Sequence, residues 1–170
     1  ASDVYKRQHL VSVNERIRMD NVQIDNKTFL EVFRKVLKTV RRMVEDGIEH
    51  PSYFEFLFGM GMTAFAETDV EYIILETGLG GRLDATNAVE KPALSIITSI
   101  SLDHTAILGD TIRKIAVEKA GIIKPKVPVF FDGSNKEAAE VIRTKGEELG
   151  VYCREVTNLS LIHISEPTRR

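Results

Sequence analysis

Only one cysteine occurs in 170 residues, Cys153. That excludes a disulfide framework and any zinc cluster built from several thiolates. No apolar run approaches a membrane span, and no cleavable leader pattern opens the chain. Neither sign of charge dominates: 23 Lys and Arg stand against 25 Asp and Glu, so the balance gives no reason to expect nucleic acid. Internal repeats and low-complexity tracts are missing. So is a GxxxxGK[ST] phosphate loop, and GLGG at 78–81 has neither the spacing nor the following helix of a dinucleotide fingerprint. What remains is an ordinary globular composition, 43 % apolar, long enough for one domain with a real core. The expectation is a cytoplasmic protein with no membrane and no nucleic-acid partner.

The two ends share an odd relation. Leu159 through Ile164 can be encoded CTG TCT CTT ATA CAC ATC, whose reverse complement encodes Asp3 through Gln8. Inverted coding identity has no protein-level reason and is similar to sequencing adaptor read through from both ends of an insert. Residues 1–8 and 159–170 are therefore expected to be non-native extensions that add no core. Residues 9–158 are then a partial domain cut from a longer gene.

Between the ends, apolar residues from Phe29 to Val44 repeat at helical spacing, with Lys35, Lys38, Arg41 and Arg42 on a solvated face. Residues 52–66 are apolar on nearly every side and predict a core helix. Glu55 is its one charge, and either favours the helix N-terminus or faces a ligand. Tyr72 to Leu75 predicts a buried strand, and Leu94 to Ile100 a second one. Thr111 is a candidate N-cap for a helix over 111–120 that stops at Gly121. A strand at Val129 to Phe131, a helix from Asn135 to Leu149 closed by Gly150, and a strand over Val151 to Val156 complete the pattern. Strands alternating with helices predict an α/β fold with a mostly parallel sheet flanked by helices.

Ligands in such sheets bind beyond the carboxyl ends of the strands. Glu76 and His104 each follow a predicted strand, and if those strands are neighbours the two side chains open into one crevice. A carboxylate and an imidazole there suit a divalent cation beside a phosphate, although histidine is less usual for magnesium. A structural histidine is the competing reading, and Asp103 either orients it or caps the turn. Gly78, Gly80 and Gly81 allow positive φ and close approach of a ligand. Asp84, Thr86 and Asn87 either close an Asx-type loop or meet a polar substrate. Lys119, near a helix C-terminus, needs no more than the dipole to explain it.

Three stretches, SYFEF, LETGLGGRLDATN and TSISLDHTAILGDTIRKIAVEKAGIIKP, together resemble the folylpolyglutamate synthase and dihydrofolate synthase family of the Mur ligase superfamily. HLVSVNERIRMDNVQI, at 9–24, fits the same family. The resemblance implies a P-loop NTPase-like central domain of an ATP-dependent ligase. A carboxylate of dihydropteroate or folate would be phosphorylated by ATP, and L-glutamate would displace the phosphate. It further implies Glu76 and His104 as Mg2+ ligands and Lys119 as a carbamylated lysine that helps hold the metal. Ser52, Tyr53, Phe54 and Glu55 match one pterin-contact segment, and Leu83, Asp84 and Ala85 a second. The parent protein is expected to be a monomer, and the chain itself inactive, because the family's phosphate loop would lie upstream of residue 1. A Mur-type ligase of peptidoglycan precursors and a non-catalytic α/β binding domain are the alternatives.

Overall fold

The computed structural model describes residues 2–6 and 8–156, with Ser2 and Asp3 described in their backbone alone. Residues 159–170, expected to be an extension, lie outside the described residues. The chain divides into two compact units. One comprises the residues up to Leu79 together with Asp84–Ala88, the other Gly80–Leu83 and the residues from Val89 onward.

In the first unit, strand β1 (Ser2–Tyr5) lies between β2 (Ile17–Met19) and β4 (Tyr72–Leu75), and β3 (Val22–Gln23) pairs with β2 at the far side. β1 runs antiparallel to β2 and parallel to β4. Helix α1 (Asn26–Glu45) begins at Asp25, whose Oδ1 accepts from the Thr28 N–H at 2.7 Å. α1 packs on α2 (Tyr53–Phe65), and Val32, Leu57, Met60, Ala64 and Phe65 close a core with Tyr5, Ile17 and Ile24. The amphipathic period of α1 explains its one buried stripe, because side chains three and four apart share a face. The β2–β3 hairpin was not anticipated. Its signal is the Asp20-Asn21 pair, both at positive φ, which is the backbone a two-residue hairpin turn requires.

The second unit carries an all-parallel sheet, β5 (Ser95–Ile97), β6 (Val129–Asp132) and β7 (Cys153–Val156), in that spatial order. Helices α3 (Thr105–Leu108), α4 (Ile112–Ala120) and α5 (Lys136–Glu148) lie along its connections. Parallel neighbours cannot be joined by tight turns, so helical crossovers are the expected connection. Ile115, Ala116, Val129, Phe131, Ala139 and Ile142 form its core. Thr111 Oγ1 accepts from the Lys114 N–H at 3.2 Å, as its place before α4 predicts, and Gly150 ends α5 at φ +61°. Among the described residues no helix is long and apolar enough to cross a membrane.

Two expectations fail. β4 is a strand but not a buried one: Tyr72, Ile73 and Ile74 are exposed, because within its unit β4 is an edge that pairs with β1 alone. Tyr5, within the 1–8 segment, does contribute core: it is wholly buried and its ring packs edge-on to Phe54 and Phe58. Backbone pairing accepts almost any residue that fits a pleated surface, so strand placement does not follow the coding origin of a segment.

The burial of Tyr5 is testable. Its phenol is pushed up to about 12, foremost by burial, with the nearby Arg16 guanidinium opposing. A folded value above the ordinary 10 means the contribution to stability is complete below pH 10 and is lost as pH rises through the folded value. Stability should therefore fall across that alkaline window, and Tyr5→Phe should flatten the fall. Denaturation curves with the same pH dependence in both proteins would show that β1 does not occupy this place.

Candidate active site

The glycine loop after β4 is closed by one carboxylate. Asp84 Oδ2 accepts from the Gly78 and Leu79 N–H groups at 2.8 and 2.9 Å. Its Oδ1 accepts from the Thr86 N–H at 3.0 Å and the Thr86 hydroxyl at 2.7 Å. Four donors occupy the lone-pair positions an ionised carboxylate offers. The Asx-type loop is thus realised, and Thr86, only 8 % exposed, carries half of it.

The glycines face protein rather than open space. A Cβ at Gly78 would lie 2.5 Å from the Phe54 ring. One at Gly81 would lie 2.7 Å from the Glu118 carbonyl oxygen, and one at Gly121 would lie 2.4 Å from Arg82 Cβ. The 80–82 segment therefore lies directly on the end of α4, where the Arg82 N–H donates to the Glu118 carbonyl at 2.9 Å. Gly121 ends α4 at φ −62°, so it is there for this close approach and not for a left-handed turn.

At the start of α2, Ser52 and Glu55 form a reciprocal capping box. Glu55 Oε2 accepts from the Ser52 N–H at 2.7 Å, and Ser52 Oγ accepts from the Glu55 N–H at 3.3 Å. The bonds to Ser52 hold the Glu55 carboxyl below its usual range. Glu55 thus stands at the start of α2 as a capping residue. Successive helix positions diverge by 100°, so the next two residues meet different surroundings. Tyr53 is exposed, with the Arg16 guanidinium 5.5 Å above its ring, and borders an apolar cavity of about 550 Å³ between α1 and α2. Phe54 points the other way, onto Gly78 and Tyr5. Of the two predicted pterin-contact segments, the fold thus joins Phe54 to the Asp84 loop, and α2 packs on the turn at Ala85–Ala88. Ala85 is half-buried, and Leu83 is 80 % exposed.

No family model matches the chain. A folylpolyglutamate synthase of Arabidopsis thaliana is 41 % identical over 157 residues, covering 92 % of this chain and 28 % of that protein. The apo form of the L. casei folylpolyglutamate synthase superposes at a TM-score of 0.85 with 30 % identity, over 91 % of this chain and 38 % of that one. The chain is homologous to a segment of the folylpolyglutamate synthases. E. coli FolC in complex with DHPP and ADP superposes at 0.79 with 32 % identity, over 91 % of this chain and 35 % of FolC. The chain therefore spans between a quarter and two fifths of the length of these family members.

Within the family framework, the remaining predicted residues stand as follows. Glu76 comes directly after β4, is exposed, and its N–H donates to the Tyr5 carbonyl at 3.0 Å. His104 belongs to the other unit and does not end a strand: six residues separate it from the end of β5 at Ile97 (the intervening TSISLD run is not in a strand). It precedes α3 with φ 51°, a left-handed backbone uncommon outside glycine. Asp103 Oδ1 accepts from the His104 N–H at 2.8 Å, which closes the turn, and its Oδ2 lies 3.5 Å from the His104 Nε2. Lys119 is half-buried near the end of α4, and no ion pair or hydrogen bond of its ammonium group occurs among the described residues. The neighbouring Glu118 is taken by Arg82, at 3.0 Å. No group of three His, Cys, Asp or Glu able to hold a metal occurs among the described residues. One exposed carboxylate still fits magnesium, which keeps several waters and binds through one or two protein ligands plus phosphates. Thr86 is one of three residues, with Asp84 and Asn87, whose sequence allows either an Asx-type loop or a substrate contact. Its signal was the Asp-x-Thr spacing of an Asx turn.

Proposed function

We propose that the whole protein of which this chain is part is an ATP-dependent ligase joining L-glutamate to dihydropteroate or folates. The observation that carries the reading is the family match across more than nine tenths of the chain. An ionised carboxylate resists attack by an amine because its leaving group would be an oxide. Transfer of the γ-phosphoryl group of ATP to a carboxylate oxygen gives an acyl phosphate and ADP. The glutamate amine then attacks the carbonyl carbon, and phosphate leaves with the electron pair of the cleaved C–O bond. In this reading Glu76 and His104 hold Mg2+, and carbamylated Lys119 supports it. When bound, the metal would neutralise charge on the transferred phosphoryl group. Phe54 and the 83–85 segment would receive the pterin, with Leu83 offering exposed apolar surface and Tyr53 and the Ser52–Glu55 cap fixing the start of α2. The reading takes the protein to be a cytoplasmic monomer and the 170-residue chain alone to be inactive.

The test is the full-length gene product with ATP, Mg2+, L-glutamate and dihydropteroate or a folate. ADP formation should require both the pterin acid and glutamate, and oxygen label placed in the substrate carboxylate should appear in the released phosphate. ADP release that ignores the pterin acid, or that needs a peptidoglycan precursor instead, would overturn the reading. Turnover by the chain alone would overturn its inactivity.

A further inference from the structure

We infer that Thr86 is a positioning residue for substrate binding, acting through the Asp84 carboxylate; this rests on the ligase reading above. Thr86 is buried and gives both of its donors, main-chain and hydroxyl, to Asp84 Oδ1. Its hydroxyl is also 3.5 Å from that of Thr77, so both ends of the loop meet at this side chain. The other oxygen of Asp84 collects Gly78 and Leu79, and Gly78 is the surface on which Phe54 rests. A continuous path therefore runs from the Thr86 hydroxyl through Asp84 to the Gly78 main chain and the Phe54 ring. It links the two segments assigned to the pterin without Thr86 touching a ligand.

A carboxylate held by four donors is fixed in orientation, whereas one held by three can rotate about its Cβ–Cγ bond and release an amide. Bonds from donors to an ionised acceptor are about twice as strong as neutral ones, so the hydroxyl is not a dispensable partner. Its loss loosens the loop on the pterin side and leaves phosphoryl transfer untouched, because no metal or phosphate residue lies on the path.

Thr86→Val keeps the shape and removes the donor, and Thr86→Ser keeps the donor. In full-length enzyme, Thr86→Val should raise KM for the pterin substrate about tenfold, with kcat and KM for ATP held within about twofold. Thr86→Ser should match the wild type. In the nitrogen-labelled 170-residue chain, the Gly78 and Leu79 amide signals should move in the valine variant and stay in the serine variant. Should the valine variant not fold, Thr86→Ala set against Thr86→Ser carries the same comparison. The inference falls if the valine variant loses thermal stability while its pterin KM stays at the wild-type value. It falls equally if kcat drops with KM unchanged, or if serine fails as valine does. A full-length protein with no pterin-dependent turnover would sink the ligase reading instead, and the amide signals alone would then decide the clamp: moved, it stands; unmoved, it falls.

Discussion

Lys119→Ala in the full-length protein should lower turnover on the order of a hundredfold, the upper range for losing a group that supports a metal ligand set. Lys119→Arg should not restore it. Arginine keeps the cation and serves a helix C-terminus as well as lysine does, so a dipole role predicts full rescue. A carbamate role predicts none, because a guanidinium, always protonated, offers no free amine to carbon dioxide. Glu118, the nearest acid in sequence, is held by Arg82, and the Lys119 ammonium has no counter-ion among the described residues. Short carboxylic acids added to the alanine variant should recover part of the activity by returning an anion. Wild-type turnover in Lys119→Arg would end the carbamate assignment.

Gly121→Ala should destabilise the chain by about 1–3 kcal/mol, the range for forcing an extra carbon into a filled space. The new methyl would meet Arg82 Cβ at 2.4 Å and Cα at 2.6 Å. Main-chain atoms cannot step aside as the tip of a long side chain can, and the Arg82 N–H is tied to the Glu118 carbonyl. Gly59→Ala is the contrast, since its methyl would find only Val36 Cγ1 at 3.8 Å. In a helix interior that exchange should gain about 0.5–1 kcal/mol. Denaturant midpoints of the two variants should move in opposite directions. An unshifted midpoint for Gly121→Ala would show that the 80–82 segment does not lie on α4 as described.

Local order was legible from the residues alone. The apolar period of α1, Glu55 at the start of α2, Thr111 before α4 and Gly150 after α5 all act within one or a few helical turns, so nearby residues suffice to read them. The family resemblance was carried by three sequence stretches taken together. Tertiary structure decided the rest, because it depends on partners distant in the chain. Gly81 is small because of carbonyls at 118 and 119, and Gly78 because of a ring at 54. Tyr72, Ile73 and Ile74 have the composition of a buried strand, yet β4 is the edge of its sheet and leaves them exposed. Tyr5 sits in a segment with no helical or strand period, and packing between β2 and β4 buries it. Composition sets which residues favour leaving water; which of them do so is fixed by the neighbours that the fold supplies.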